Sequence, residues 1–398
     1  MIIRARTVVP MEGDPILDGA VAVSGNKIAD VGRFAEVRQR QSGDVLDLGE
    51  QILMPGLING HCHLDYTMLR GTIPPQRSLS DWIRAINAEK AKLTEQDYID
   101  SINAGFAEAR RFGTTTILNL TAFPKLIAAI QEPLRTWWFG ELIDVRNPDE
   151  AEKIADEAAE FLKTANRWGL APHAPFTASQ RLYARCEEIG RRENIPLTTH
   201  LAESREEMEM FRDATGAAFE FLESIGRPME DCGRETPLSL FVRTRAIDEH
   251  WIIAHLNELD PGDFKLLASA PKFHIAHCPR SHTFFGHAPF ALDRLRTLGF
   301  NICLGTDSLA SNSDLSLFAE MRELLRKEPG LSPREIVAMA TLNGAQAIGQ
   351  PDSLGKIAPG TYADLIAVPE APSATDVFET IVAFEETVPW IMVNGALA

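Results

Sequence analysis

Pro55-Gly56-Leu57-Ile58-Asn59-Gly60-His61-Cys62-His63-Leu64-Asp65 decides how the rest of the chain is read. With Ile52, Leu53 and Met54 just ahead, it reads as one buried β-strand ending in two histidines a residue apart. Side chains at i and i+2 of a strand share a face, so His61 and His63 present two imidazoles to one point while Cys62 turns away. That is metal-chelating geometry. A His-x-His pair at a strand end fits a structural or surface role equally well, so later strands must supply the complementary ligands.

Working outward, further short apolar runs lie at 114–120, 136–143, 168–173, 196–201, 251–255, 273–277 and 300–307. Each is consistent with a strand buried on both faces. Amphipathic helical stretches separate them, among them 149–168, 179–193, 315–327 and 333–348. Alternating β and α units of this number predict an α/β chain with a (β/α)8 TIM barrel, whose active site lies at the carboxyl ends of the strands. A doubly wound sheet is the runner-up, but no G-x-G-x-x-G follows a strand. Residues 1–54 break into short β-bursts around a tight turn at Ser24-Gly25-Asn26, a hairpin composition. That region is too small for a core of its own and finds matching runs at 363–368 and 389–395. The expected organisation is a barrel over 55–349 and one small discontinuous β-domain made from 1–54 and 350–398.

A barrel brings strand ends to one rim, and the strand ends here carry donors. His61 and His63 end the first strand, His200 the fifth, His255 the sixth and Asp307 the eighth. Three imidazoles and a carboxylate leave an open position for water on Zn²⁺ or a similar ion, which brings that water's pKa to about 7. No G-x-S-x-G elbow argues for a serine nucleophile instead. Glu203, in His200-Leu-Ala-Glu203, stands where a general acid/base would, or where an acid caps the following helix. His255 reads either as a group orienting the attack or as a hydrogen-bonded core histidine. Asp307 reads as a cap or as a ligand, since an acid closing a buried strand requires a partner. His173 and His277 also end strands and either contact substrate or brace Pro-rich loops; His250, His274, His282 and His287 carry no assignment.

Composition narrows the class. The 398 residues are 45% hydrophobic and 24% charged, an ordinary globular balance,. Lys and Arg number 39 against 56 Asp and Glu, leaving −17; with no basic tract, nucleic-acid binding is disfavoured. The five scattered cysteines contain no C-x-x-C pair,. No apolar run approaches a membrane span and the N-terminus has no signal-like core, so a cytoplasmic protein with no membrane partner is expected, and a homo-oligomer.

The chain resembles the amidohydrolase superfamily, in the branch of cytosine-type, guanine and adenosine-analogue deaminases and triazine chlorohydrolases. The resemblance spans nearly the whole chain. It rests on Pro55–His63, Thr199-His200-Leu-Ala-Glu203, Ala254-His255-Leu, Leu304-Gly-Thr-Asp307-Ser-Leu-Ala-Ser-Asn312 and Gly355-Lys-Ile-Ala-Pro-Gly-Thr-Tyr-Ala-Asp364-Leu. It implies one Zn²⁺ (sometimes Fe²⁺) per subunit held by His61, His63, His200 and Asp307, with His255 near the hydrolytic water. It implies that Asp307 helps deprotonate that water and Glu203 delivers a proton to the ring nitrogen of a small heterocyclic substrate. Hydroxide then attacks the carbon bearing the exocyclic amine, and ammonia leaves. Within the branch, His63–Gly71 and Leu79-Ser-Asp-Trp82-Ile are similar to aminodeoxyfutalosine deaminases of menaquinone biosynthesis.

Two places depart from the adenosine-analogue deaminases: Asn257-Glu258 after strand six, where a second histidine is usual, and His282 after strand seven, where asparagine is usual. Both lie where substrate is read, so they put the leaving group and the non-reacting half of the substrate in doubt. Arg70, Arg77, Arg84 and Arg280 are candidates to hold a substrate carboxylate, since guanidinium matches it with two hydrogen bonds, and Trp82 can stack on a base. Exposed arginines and a packed tryptophan are the plainer alternatives. Against the deaminase stand a chlorohydrolase or amidase on another ring and a non-enzymatic binding member of the fold. The last is opposed by a full ligand set. The H-x-E and P-C-x-x-C pattern of zinc cytidine deaminases is absent.

Overall fold

Every residue of Leu57–His63, Thr114–Thr121 and Arg135–Leu142 is buried, the two-sided burial imposed on a parallel sheet covered by helices. Trp168–Pro172, Leu197–Leu201, Trp251–His255, His274–His277 and Asn301–Leu304 continue the series. The computed structural model describes residues 1–76, 78–370 and 376–398, and in it these strands pair in chain order, all parallel. The tail of the last strand closes the ring: Gly305 N–H donates to the His277 carbonyl at 2.9 Å and Thr306 N–H to the His61 carbonyl at 3.0 Å. Asp307–Ser308 then pairs with Cys62 and His63. A β-carbon on Gly305 would lie 2.7 Å from the His61 carbonyl oxygen, so this closure needs glycine. The chain is a (β/α)8 barrel.

The helices differ from expectation in two places. The stretch 333–348 is two helices, Pro333–Met339 and Leu342–Ala347. They break at Thr341 (φ −137°, ψ −89°), whose hydroxyl donates to the Val337 carbonyl at 2.7 Å and so competes with the helix ladder. The stretch 149–168 is α-helical only over Ala151–Leu162, entered by the 3-10 turn Pro148–Glu150.

The run 52–58 is likewise not one strand. Gln51–Pro55 belongs to a second sheet, pairing with Ile2–Val8 and Leu365–Pro369, and the chain passes into the barrel at Gly56. A β-carbon there would fall 2.1 Å from the Thr115 side chain. The second sheet takes Ile2–Val8, Ile16–Ser24, Lys27–Arg33 and Val45–Asp47 from one end of the chain, and Leu365–Pro369, Trp390–Val393 and Ala396–Leu397 from the other.

A buried ion pair ties this sheet to the barrel. Arg135, at the start of the third barrel strand, donates from Nε to Asp364 at 2.8 Å and from Nη2 to Asn394 Oδ1 at 2.9 Å. Asp364 Oδ1 also accepts the Asn394 N–H. Both charged side chains are about 7% exposed. Removing one partner of such a pair leaves an uncompensated buried charge, which costs roughly 3–5 kcal/mol. Asp364→Ala is therefore expected to lower the urea midpoint by that equivalent; a midpoint within experimental scatter of the parent would show that the pair carries no such energy.

Candidate active site

Alternation on the first strand sends His61 and His63 to the barrel axis, while Cys62, fully buried, points outward with its Sγ 3.5 Å from the Leu118 carbonyl. The Nε2 atom of His63 lies 3.3 Å from that of His61 and 3.2 Å from that of His200. Burial, and then the neighbouring imidazoles, hold His61 and His63 well below the ordinary histidine pKa. Both rings are neutral at pH 7 and bring lone pairs to one point. The Nδ1 of His200 donates to the His173 carbonyl at 2.9 Å, a tautomer that leaves its Nε2 lone pair free. Asp307 Oδ1 stands 3.8 Å from both His61 Nε2 and His63 Nε2. Its other oxygen accepts the hydroxyls of Ser281 at 2.6 Å and Ser311 at 3.2 Å.

These spacings test whether a metal fits. Ligands at 2.0–2.1 Å from a tetrahedral ion lie roughly 3.3 Å apart, which matches the two nitrogen separations. The Nδ1 of His61 is buried without a hydrogen-bond partner, and the Nε2 atoms of His61 and His200 both face that of His63. The donors therefore suit a divalent ion, and further three-donor sets adjoin it: His61, His200 and His255, and His63, Glu141 and His200.

Glu203 follows the fifth strand across Ala202, which takes a left-handed backbone (φ +49°). Its Oε1 is 3.8 Å from His255 Nε2. Burial, then the charges of Asp307 and Glu207, push its pKa well above the ordinary glutamate value, which favours the protonated carboxyl. His255 is itself left-handed (φ +73°) and only 4% exposed. Burial keeps it neutral, with the His200 and His61 rings adding to the shift. Strained backbone at successive strand ends concentrates around this site, as it does at functional sites generally.

A cavity of about 750 Å³ opens over these groups. His63, His173, His200, Glu203, His255 and Asp307 line its floor, and Trp82 lines its wall from the helix Leu79–Lys90. His173 is braced by Thr177 Oγ1 at 2.6 Å, and the Trp82 ring meets Phe285 edge to face.

The Amidohydrolase family matches residues 52–396. The chain belongs to that family. A short second match, at 19–41, is to an imidazolonepropionase-like composite domain of bacteria. One relative, a 5-methylthioadenosine/S-adenosylhomocysteine deaminase of Pyrococcus furiosus, is 29% identical over 386 residues, covering 92% of this chain and 86% of the relative. Among solved structures, an adenosine deaminase from Xanthomonas campestris with bound zinc superposes with a TM-score of 0.85 at 25% identity, over 100% of this chain and 92% of that one. The Helicobacter pylori aminofutalosine deaminase, at 20% identity, shares the fold with a TM-score of 0.88 over 100% and 99%.

Three of the amidohydrolase's expected substrate contacts lie away from the cavity. Arg70 pairs with Glu108, and Arg280 is held by Asp314 at 2.6 Å and by Ser313. His277 stacks face to face on Phe290, with ring centroids 4.0 Å apart. None of the three lines the cavity among the described residues. Arg84 is likewise outside it, paired with Asp81 at 3.0 Å, and Arg77 lies outside the described residues.

Sequence reasoning passed over Glu141, which ends the third strand with Oε1 3.5 Å from His63 Nδ1, the place of a carboxylate that orients a ligating imidazole. The signal was present: an acid closing an otherwise apolar strand. Lys90, whose ammonium donates to Tyr66 Oη at 2.9 Å in the same cavity, carried no such signal.

The loop after Asp307 has its own buried anchor. Glu320 accepts from Arg280 N–H at 2.9 Å and Asn312 Nδ2 at 2.7 Å, tying the segment after Asp307 to the helix bearing Ser281. Burial pushes it up to about 8 from the ordinary glutamate value of 4.5. The folded chain thus keeps a proton that the unfolded chain gives up above pH about 4.5, so stability falls as pH rises toward 8. Glu320→Gln is expected to flatten the decline of the thermal midpoint between pH 6 and 8; an unchanged slope would assign that decline elsewhere.

Proposed function

We propose that this amidohydrolase is a metal-dependent deaminase that replaces the exocyclic amine of a purine nucleoside or related heterocycle with oxygen. The observation that carries the reading is Glu203, a largely buried carboxyl with a raised pKa beside a cluster of metal-type donors at the floor of a nucleoside-sized cavity. The name of the Pyrococcus relative and the zinc in the Xanthomonas structure support it.

His61, His63, His200 and Asp307 are the proposed ligands of one ion per chain, Zn²⁺ before Fe²⁺. When bound, such an ion lowers the pKa of the attacking water and draws charge from the transition state. Asp307 accepts a proton from that water, with the Ser281 and Ser311 hydroxyls keeping its free oxygen aimed at the cluster. Glu203 hands its proton to the ring nitrogen beside the attacked carbon, and His255 orients the incoming oxygen. As the carbon–nitrogen bond breaks, the amine takes up the proton held by Asp307 and leaves as ammonia, and the proton on the added oxygen returns to Glu203 as the carbonyl forms. Trp82 covers the ring and His173 contacts the sugar side. The cytoplasm, a homo-oligomeric state and the division 1–54 with 350–398 around 55–349 belong to the same reading.

The test is ammonia release from a panel of aminopurine nucleosides, with 5-methylthioadenosine, S-adenosylhomocysteine and aminodeoxyfutalosine among them. Turnover of at least one supports the reading. Chloride release from chlorinated rings, carboxylate release from amides, or ligand binding without turnover would move it to a chlorohydrolase, an amidase or a binding protein.

A further inference from the structure

Glu206 and Glu207 are consecutive carboxylates in the first turn of the helix Arg205–Asp213, and each grips a different part of the site. Glu207 is 1% exposed. One of its oxygens accepts the Ala202 N–H at 3.1 Å and the other the Glu203 N–H at 2.8 Å. Its own N–H is capped by Ser204 Oγ at 3.2 Å. In an ordinary capping box the third acid reaches back to the N-cap N–H; here it reaches past Ser204 to the residues before it. Ala202 is left-handed at φ +49°, a conformation that costs a non-glycine residue energy unless its surroundings hold it. The two bonds from Glu207 do so, and Asn257 Nδ2 completes the clamp by donating to the Glu203 carbonyl at 3.0 Å.

Glu206 faces the other way. It accepts the N–H groups of Leu79 at 2.8 Å and Ser80 at 3.1 Å, and the Ser80 hydroxyl. Those are the unsatisfied N-terminal donors of the helix Leu79–Lys90, which carries Trp82, Ile83, Ile86 and Asn87 into the cavity wall.

We propose that these two neighbours are positioning residues with divided work: Glu207 sets the acid/base Glu203 against the reacting atoms, and Glu206 sets the wall that holds the substrate ring. The proposal rests on the deaminase reading.

Glu206→Gln and Glu207→Gln in the zinc-loaded protein separate the two roles. Each amide keeps the shape but supplies one acceptor oxygen where two are needed. Displacing a reacting group by about 1 Å can cost ~10²-fold in rate, so Glu207→Gln is expected to lower kcat by roughly 10–100-fold with KM nearly constant. Glu206→Gln is expected to raise KM by about tenfold with kcat nearly constant. Amide hydrogen exchange supplies a readout that needs no turnover: exchange should rise at residues 202–203 only in Glu207→Gln, and at 79–80 only in Glu206→Gln. Wild-type inactivity on every nucleoside would sink the deaminase reading while the exchange pattern still tested the two clamps. Unchanged exchange, or both variants moving kcat and KM alike, would overturn the division of labour.

Discussion

Glu203→Gln is expected to reduce ammonia release by roughly 10²-fold or more, the usual share of a general acid/base, with the protein's metal content unchanged. The loss is about 2.7 kcal/mol of barrier. It follows from chemistry rather than shape, because glutamine fills the same space. Glu203 sits largely buried at the cavity floor, and desolvation and then the charges of Asp307 and Glu207 push its pKa well above the ordinary glutamate value, which favours a proton on the carboxyl facing a ring nitrogen. An amide holds no transferable proton and accepts none from water. The 3.8 Å separation from His255 Nε2 keeps the carboxyl off that nitrogen, free for substrate. Turnover equal to the parent's would remove Glu203 from the reaction, and loss of the metal in the variant would make it a ligand instead.

What sequence could reveal about this site depended on whether a donor sits on regular backbone. His61, His63, His200 and Asp307 end strands, and a barrel delivers every strand end to one rim, so their convergence followed once the β/α alternation was counted. The arginines are the opposite case. Guanidinium pairs with any carboxylate in reach, and Arg70 and Arg280 found Glu108 and Asp314 within the chain; no pattern in the sequence measures that distance. The break at Gly56 was hidden because residues 52–58 are apolar throughout, and burial in one sheet reads the same as burial in two. Glu207 stands as a helix-capping acid in sequence, and only the left-handed turn at Ala202 sends it to the Glu203 backbone. The motif around Asp364 is specific in sequence yet remote from the chemistry, because its acid holds Arg135 where the two sheets meet.

Stripping divalent metal with a chelator is expected to abolish turnover and to lower the thermal midpoint by several degrees, both recovering with about one equivalent of zinc per chain. A ligand present at a thousand times its dissociation constant stabilises the folded state by about 4 kcal/mol, and the chelated protein loses that contribution. It also keeps the His63 Nε2 at 3.2–3.3 Å from the Nε2 atoms of His200 and His61 with a carboxylate beside them. Each of those rings would regain a hydrogen bond by protonation, but burial and the neighbouring rings oppose a positive charge on His61 and His63. The same opposition keeps both lone pairs available in mildly acidic solution, so metal should be retained at pH values where exposed histidines are already charged. Asp307→Asn removes the one anionic donor of the proposed set, and it is expected to weaken zinc retention while the serine hydroxyls still hold the side chain in place. Full activity in a chelated, metal-free sample would leave the donor cluster a structural feature and require the attacking water to be activated by Glu203 and His255 alone.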